Sequence, residues 1–306
     1  EIGFRHRSIH PVISYTYDPL GRLVEAACST GECYQYAYNA VGSRSYMTST
    51  TPLSGTLVTT YTYNLADQLT ARSVSDGRSY TYDWSQRGQL LAENIQGVPV
   101  RSFVYDAAGQ MIEATVFTQT TTFSYTAASR AGAFARVRVG VAGYDPVSYT
   151  LDLVGGNRIL AETYGDDPLL YLYGRDCLGQ LGSAPIDDPL VGEGEWLYYL
   201  HDGDGLVRHG ADANGAIVGD WLFDPDGTVL EGPEGPVSHL ICGGVYDWST
   251  GLIYQDGRYF DPSLGIWLMA LPLVVIGAGK GRRQRGRLWG MGMLVCLLGG
   301  GMILAG

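Results

Sequence analysis

The sequence contains few cysteines, a single lysine and no acidic residue after position 261. Its five cysteines, at positions 28, 33, 177, 242 and 296, are too sparse for a disulfide framework, and Cys28 with Cys33 allows at most one local bridge. The first 265 residues carry all 31 acidic side chains and 15 of the 20 basic ones, a net charge of −16. Because nucleic-acid binding depends on basic surfaces, this balance argues against a nucleic-acid partner.

Sequence signatures of cofactor and metal sites are also missing. No Gly-rich phosphate loop precedes a helical pattern, and no serine lies in a G-x-S-x-G motif. Asp202 and Asp204 have the spacing of calcium ligands, but Leu206 and Ala213 stand where an EF-hand needs oxygen ligands. The histidines nearby lack cysteines at zinc spacing. We therefore predict a turn at this place and no cofactor, with Asp202 and Asp204 as the only metal candidates.

Tyrosine and glycine are abundant, with 22 and 43 residues. In the stretch YTYDPLGRLVEA, residues 15–26, Tyr15 and Tyr17 share one face of an extended strand because side chains alternate along it. The residues D-P-L-G that follow suit a type I turn with glycine in the left-handed position after it. The stretch therefore predicts a β-hairpin.

The same pattern recurs along most of the chain. Its copies are YAYNAVGSR from residue 36, YTYNLADQL from 61, YTYDWSQRGQL from 80, FVYDAAGQM from 103, FSYTAASR from 123, YTLDLVGGNRIL from 149 and YLYGRDCLGQL from 171. The second aromatic residues at 17, 38, 63, 82, 105 and 125 lie 19 to 25 residues apart, which is room for two strands and two turns. In the copy from residue 61, Asp67 stands where glycine is expected.

Stacked hairpins explain why the pattern is repeated. An isolated hairpin is marginal in water, whereas neighbouring hairpins form a continuous sheet with tyrosines in files. Each cross-strand aromatic pair contributes roughly 0.2–1 kcal/mol. We therefore predict an all-β fold of antiparallel hairpins in which the tyrosines and aspartates are structural. Carbohydrate binding on exposed rows of tyrosines is the functional alternative.

These motifs resemble the YD repeat of the RHS family, which includes shells of bacterial polymorphic toxins and insecticidal toxin-complex C subunits. The resemblance covers residues 15 to about 265, and YTYDPLGRL matches closely. YYLHDGDGLVRHGADANGAIVGDWLFDPDG, residues 198–227, is similar to the final repeats, and GGVYDWSTGLIYQDGRYFDPSLG, residues 243–265, resembles the RHS-associated core. The resemblance implies a spiralling β-sheet, here a partial shell, that in complete members encloses a toxic C-terminal segment. We divide the chain into a repeat array (1–197), final repeats with the core (198–265) and a tail (266–306).

In the family, aspartates of the core are linked to self-cleavage that frees the cargo. Aspartyl chemistry needs two carboxylates that share a proton. Asp261 is one candidate, but Leu271 stands where the second aspartate is expected, and Ile266 replaces the expected arginine. We therefore expect Asp261 to be part of an Asp-Pro turn and expect neither autoproteolysis nor another enzymatic activity.

The tail has the composition of a membrane anchor. Residues 266–278 are apolar or small, residues 279–287 carry five basic side chains, and residues 288–306 contain no charge. Nineteen residues at about 1.5 Å each span about 28 Å, close to the hydrocarbon thickness of a bilayer. We predict a transmembrane helix over 288–306 and a second candidate crossing over 266–278. Two crossings would place the basic loop in the cytoplasm and the acidic body outside. A single crossing over 288–306 would hold the body inside, which fits a surface protein poorly. The order apolar then basic also resembles a C-terminal sorting signal.

The sequence thus predicts a structural cell-surface shell fragment, anchored to the membrane at the extracellular face of the cell envelope, for display, adhesion or enclosure of a polypeptide. The rival hypotheses are a self-cleaving toxin-delivery shell and a carbohydrate-binding surface module. Because the chain begins at Glu1 without an initiator methionine, we expect a piece of a longer protein, and a closed shell depends on the N-terminal region that is missing.

Overall fold

β-Strands make up the regular structure of the described part of the chain. The computed structural model describes residues 12–269, apart from 53–54, 127–134, 153–157, 175, 183–189, 191–193, 204, 234–237, 242–243 and 256. These residues contain strands but no helix, which confirms the prediction of an all-β fold. Strands β1 to β19 are assigned to one antiparallel sheet of 19 strands.

The strands divide between this large sheet and two small sheets. The large sheet contains β1 Ile13–Tyr17, β2 Leu23–Cys28, β3 Cys33–Tyr38, β4 Arg44–Thr51, β5 Gly55–Tyr63, β6 Leu69–Val74, β7 Ser79–Trp84, β8 Leu90–Ile95, β9 Val98–Tyr105, β10 Met111–Val116, β11 Gln119–Tyr125, β12 Arg136–Val141, β13 Val147–Asp152, β14 Arg158–Tyr164, β15 Asp167–Tyr173, β16 Cys177–Leu181, β17 Trp196–His201, β18 Val207–Ala211 and β19 Ile217–Asp220. The small sheets contain β20 Leu222–Phe223 with β21 Val229–Glu231, and β22 Val245–Asp247, β23 Leu252–Gln255, β24 Arg258–Asp261 and β25 Ile266–Trp267.

Contacts group the described chain into two compact units. The first holds the residues up to Tyr82 with Ile95–Gly97, and the second holds Asp83–Asn94 with the residues from Val98 onward. In the first unit each strand pairs antiparallel with the next, as in β1 with β2 and β5 with β6. The same order runs from β9 to β19 in the second unit. Both units are therefore meanders, the simplest way to join repeated hairpins.

The turn of each repeat follows the chemistry of its aspartate and glycine. In the opening copy, Asp18 Oδ1 accepts hydrogen bonds from the N–H groups of Leu20 and Arg22, both at 2.9 Å. Gly21 has φ +77°, a conformation that glycine adopts without a steric penalty. Asp67, which replaces glycine in a later copy, has φ +58°. The predicted turn with a left-handed residue is confirmed at both places.

The two aromatic positions of a repeat have different roles. The first is buried, as in Tyr36 and Tyr61 at 6% and 7% exposure. The second lies at a register shift, such as the one between Thr62 and Tyr63, and in several copies its hydroxyl donates to the preceding hairpin. Tyr63 bonds the carbonyl oxygen of Arg44 at 2.7 Å, and Tyr38 bonds that of Leu23 at 2.6 Å. The second tyrosine therefore ties consecutive hairpins together.

The tyrosine rows face the interior of each unit. In the first unit Tyr34 and Tyr36 form a buried cluster with Ala26. In the second unit Tyr171 and Tyr199 belong to a larger core. The carbohydrate alternative required these rows to be exposed, whereas most of the described repeat tyrosines are buried or half-buried and Tyr17, at 51%, is exposed.

The second unit contains a segment that packs on the buried face of its strands. We call residues 238–269, with the gaps given above, the core segment. Its end is fixed by a hydrogen bond from the Leu90 N–H to the Leu268 carbonyl oxygen at 2.8 Å and by a bridge between Gln89 and Met269. Buried side chains of the segment, including Leu240 and Leu252, complete the core of the unit.

One expectation from the sequence is corrected. The predicted helix over 266–278 is wrong at its start, because Ile266 and Trp267 pair with β24 as strand β25. Residues 270–278 and the predicted helix over 288–306 lie outside the described residues. Within residues 12–269, as far as they are described, no helix has the length and apolarity needed to cross a membrane. Cys28 and Cys33 are free cysteines, because Cys33 pairs with Ala27 and neighbouring residues of a strand point to opposite faces.

Candidate functional site

Two turns of the core segment share one local pattern. Asp247 is followed two positions later by Ser249, and Asp261 by Ser263. Asp247 Oδ1 accepts hydrogen bonds from the N–H and Oγ of Ser249 at 3.1 and 2.6 Å. Asp261 Oδ1 accepts the same pair from Ser263 at 3.0 and 2.7 Å. Each turn therefore holds its carboxylate in one orientation and leaves the Oδ2 atom for a donor from elsewhere.

Asp261 receives that donor from strand β9. Arg101 Nη1 lies 2.6 Å from Asp261 Oδ2 and 3.2 Å from Glu93 Oε2 on β8. The side chains of Asp261 and Glu93 are 1% and 4% exposed, so both charges are removed from water. Burial alone would lower the pKa of the Arg101 guanidinium, but the two carboxylates raise it overall. Arg101 is therefore a permanent cation between two buried anions.

Asp247 receives its donor from strand β12. Arg136 Nη1 lies 3.2 Å from Asp247 Oδ2, and the two side chains are 1% and 5% exposed. The guanidinium carbon lies 4.6 to 5.9 Å from the ring centroids of four aromatic residues, namely Phe123, Tyr149, Tyr254 and Tyr259. Such rings attract a desolvated cation. Burial opposes the charge on Arg136, yet the neighbouring tyrosines and Asp247 raise its pKa well above the ordinary value.

A third polar contact fixes the start of the core segment on β14. Ser238 Oγ donates to Glu162 Oε1 at 2.6 Å, and Tyr164 donates to Oε2 at 2.8 Å. Burial raises the pKa of the Glu162 carboxyl, an effect that these hydrogen bonds oppose. His239 accepts or donates at Nε2 toward the Tyr173 hydroxyl at 3.0 Å, and burial lowers its pKa to about 3, so it is neutral at physiological pH.

These contacts define three polar anchors: Arg101 with Asp261, Arg136 with Asp247, and Glu162 with Ser238. They lie on three strands of one unit, and each joins a repeat strand to the core segment. The carboxylates are occupied by guanidinium, hydroxyl and backbone donors. This arrangement holds two parts of the chain together and contains no carboxylate pair that shares a proton.

The metal candidates do not form a metal site in the described part of the chain. Asp202 accepts hydrogen bonds from the Leu206 N–H at 3.0 Å and from Arg208 Nε at 2.7 Å, as the aspartate of a repeat turn. Asp204 lies outside the described residues. His209 Nδ1 lies 2.6 Å from Asp220 Oδ1. No group of three or more ligating side chains suited to a metal ion is found among the described residues.

Sequence reasoning identified Asp261 but missed its partner Arg101, which also contacts Glu93. It also missed the pair of Arg136 with Asp247. Arg101 carried a usable signal, since it lies two residues before the buried Phe103 and alternation places both on one face. The sequence contains no comparable indication that Arg136 would be buried. Arg138, two residues later, is exposed, because the register shift between Ser124 and Tyr125 puts an extra residue in this strand.

The described chain is thus an all-β protein, a meander of hairpins with aspartate turns to which the core segment is anchored. A family model described as the teneurin YD-shell matches residues 4–133. The chain is 23% identical over 275 residues to the "tRNA3(Ser)-specific nuclease WapA" of Bacillus spizizenii, covering 84% of this chain and 10% of that protein. It is 24% identical over 335 residues to the "Probable deoxyribonuclease RhsA" of Dickeya dadantii, covering 87% and 23%. These matches confirm the resemblance to RHS/YD-repeat proteins that the motifs predicted.

The chain spans about a tenth of the length of the first of these relatives and about a quarter of the second. Among solved structures, the crystal structure of TcdB2-TccC3 is similar with a TM-score of 0.33 and 14% identity, over 87% of this chain and 21% of that chain.

Proposed function

We propose that this chain is a structural wall segment of a larger RHS/YD-repeat shell that encloses a polypeptide, with the core segment as a fixed inner element. The observation that carries the proposal is the set of three polar anchors. In these anchors, the carboxylates of both aspartate turns of the core segment, Asp247 and Asp261, bind arginines of the repeat strands. The activities in the names of the relatives belong to proteins of which this chain covers a small share, and we assign no nuclease activity to it.

The self-cleaving delivery shell is the rival that an experiment separates most sharply. Asp261 is bonded to Arg101 and Ser263, and the sequence has Leu271 where a second carboxylate would be needed. The purified chain is expected to run as one band of about 33 kDa on a denaturing gel. The Asp261→Asn variant should give the same single band. Two bands separated near residue 270, reduced to one by Asp261→Asn, would establish self-cleavage and refute the structural assignment of Asp261.

The apolar composition of residues 288–306 favours a second element of function, tethering to the cell envelope. Nineteen uncharged residues after a basic loop are suited to a membrane helix. Residues 270–278, which are left of the second candidate crossing, would span only about 14 Å and are too short to cross the bilayer. The full chain should stay in the membrane pellet after an alkaline carbonate wash, and deletion of 288–306 should release it. Recovery of the full chain in the soluble fraction would refute the tether.

Display and adhesion follow from the tether. Carbohydrate binding remains the weaker alternative because most of the described repeat tyrosines are buried or half-buried. A glycan array with the full chain tests it directly. Binding that is lost when the exposed Tyr17 and Tyr144 become alanine would favour a carbohydrate module over a wall segment.

A further inference from the structure

One face of the second unit carries an apolar patch that its core does not use. The patch consists of Leu170 and Leu172 on β15, Leu178 on β16, and Tyr198 and Leu200 on β17, each between 36% and 43% exposed. Their neighbours in sequence, Leu169, Tyr171, Leu197 and Tyr199, are buried. Because residues alternate along a strand, the five exposed side chains lie on the face opposite the core.

Strand register makes this patch continuous. Leu170 pairs with Leu181, which pairs with Trp196. A second row runs from Leu172 through Gly179 and Tyr198 to Ala211 and Ile217. Neither row contains a charged residue. The rings of Trp196 and Tyr198 stack at 6.4 Å between centroids. At one margin Leu200 pairs with His209, which contacts Asp220, so the apolar surface ends at a charged pair.

Exposed apolar side chains also occur elsewhere in the second unit, such as Leu91, Val104 and Ile112, but the outer face of the first unit is more polar. In the first unit, the row that begins at Tyr46 continues with Thr60, Ser73 and Ser79 on the next strands. These residues are exposed, and only the tyrosine is aromatic. Threonine and serine suit a pleated surface in water, whereas leucine and tyrosine in the same structural position expose apolar area. The change from threonine and serine to leucine and tyrosine indicates that the patch contacts another surface.

The size of the patch narrows the choice of partner. The patch lies on three strands, which at about 4.8 Å spacing cover about 10 Å, and its side chains cover on the order of a few hundred square ångströms. A stable interface between two protein chains needs about 800 Å² on each partner. The patch is therefore too small to hold a second copy by itself, but it is suited to a surface to which the chain is already held by another attachment.

We propose that this patch rests on the surface of the lipid bilayer in which residues 288–306 are anchored, so that the repeat body lies against the membrane. The inference depends on the tether of the proposed function. Residues 270–287 join the two elements, and eighteen residues span at most about 60 Å. A tyrosine and a tryptophan at the patch suit the interface between headgroups and hydrocarbon. The net charge of −16 in the first 265 residues favours neutral, zwitterionic headgroups over anionic ones.

Photo-crosslinking in the full chain tests this contact with a matched control. Tyr198 in the patch and Tyr46 on the Thr-rich outer face are 36% and 38% exposed, so a benzophenone amino acid can replace either one at similar exposure. Both variants are reconstituted into phosphatidylcholine vesicles and irradiated. We expect at least about tenfold more lipid adduct at position 198 than at position 46. Changing Leu170 and Leu172 to threonine should reduce the adduct at 198 several-fold without changing flotation of the chain with the vesicles.

Each other outcome overturns the inference in a distinguishable way. Equal lipid adducts at 198 and 46 would show that the patch has no preference for the bilayer. A chain-to-chain adduct at 198 would identify a second copy as the partner. Loss of flotation in a carbonate-washed sample would refute the tether itself, and the membrane contact with it. Flotation without any lipid adduct at 198 would leave the tether intact and refute the contact alone.

Discussion

Replacing Arg136 tests the central anchor of the core segment. Arg136 and Asp247 are 1% and 5% exposed, and the guanidinium is surrounded by four aromatic rings. In the variant Arg136→Met, the Asp247 carboxylate would stay buried without its cation. Removing one partner of a buried ion pair typically costs 3–5 kcal/mol, because the remaining charge is uncompensated. We therefore expect a loss of this size in the stability of the contact between β12 and the core segment.

Native-state hydrogen exchange measures that loss without assuming that the whole chain unfolds in one step. The amides of β22 and β23 report on the local opening of the core segment. A loss of 3–5 kcal/mol corresponds to exchange that is faster by roughly 100- to 4,000-fold, at a factor of ten for each 1.4 kcal/mol. The double variant Arg136→Met with Asp247→Asn removes both charges and should recover most of the protection.

An exposed ion pair provides the control. Arg78 and Asp76 are 2.7 Å apart but 55% and 32% exposed, and surface pairs contribute about 0–1 kcal/mol. Arg78→Met should therefore change exchange in its own hairpin less than about fivefold. Exchange in β22 and β23 that is unchanged in Arg136→Met would show that the buried pair does not hold the core segment. A double variant as unstable as the single one would show that the uncompensated charge is not the cause.

Three further substitutions test the repeat itself. Tyr63→Phe removes the hydroxyl bond to the preceding hairpin and should lower the free energy of unfolding in urea by about 1 kcal/mol. The control Tyr46→Phe, at an exposed position, should leave this free energy unchanged. Equal effects of the two substitutions would contradict the role of the Tyr63 hydroxyl in joining the hairpins. Burial and a neighbouring aspartate raise the pKa of Asp224 to about 7, so this group's contribution to stability is lost as pH rises from about 4 to about 7. Asp224→Asn should remove that slope and stabilise the chain at pH 8, and a variant with the wild-type pH profile would refute the assignment. Gly179→Ala places a Cβ 2.3 Å from the Leu197 carbonyl oxygen and should cost about 1–3 kcal/mol; an unchanged urea midpoint would show that the strands can separate there.

The hairpin array could be predicted from the sequence because its determinants are local. Two aromatic residues two positions apart specify the strand, the aspartate specifies the turn, and the glycine takes the left-handed conformation. All of these residues lie within about ten positions of one another. Even the substitution of glycine by Asp67 kept the left-handed φ, at +58°. The family followed from the same motifs, since a repeated local pattern is visible in a single sequence.

The anchors could not be predicted, because their partners are far apart in the chain. Asp261 was assigned to a turn from its own neighbours, but nothing near it in sequence indicates Arg101, 160 residues away. Alternation alone would place Arg136 and Arg138 on one face, yet the register shift in their strand buries the first and exposes the second. The apolar run from 266 likewise reads as the start of a helix, although its first residues form a strand by pairing with β24.

The charged anchors supply a specificity that apolar packing in a repeat cannot. Successive hairpins present similar tyrosine faces, so a core segment held only by apolar contacts would find comparable contacts on several strands. Asp247 meets a guanidinium only where Arg136 lies, and Asp261 only where Arg101 lies. A segment displaced by two strands would bury both carboxylates without cations, at a cost of several kcal/mol for each. The anchors therefore act mainly by penalising every other position. On this reasoning the double variant Arg136→Met with Asp247→Asn keeps most of its protection, and the position of the core segment then depends on Asp261 with Arg101.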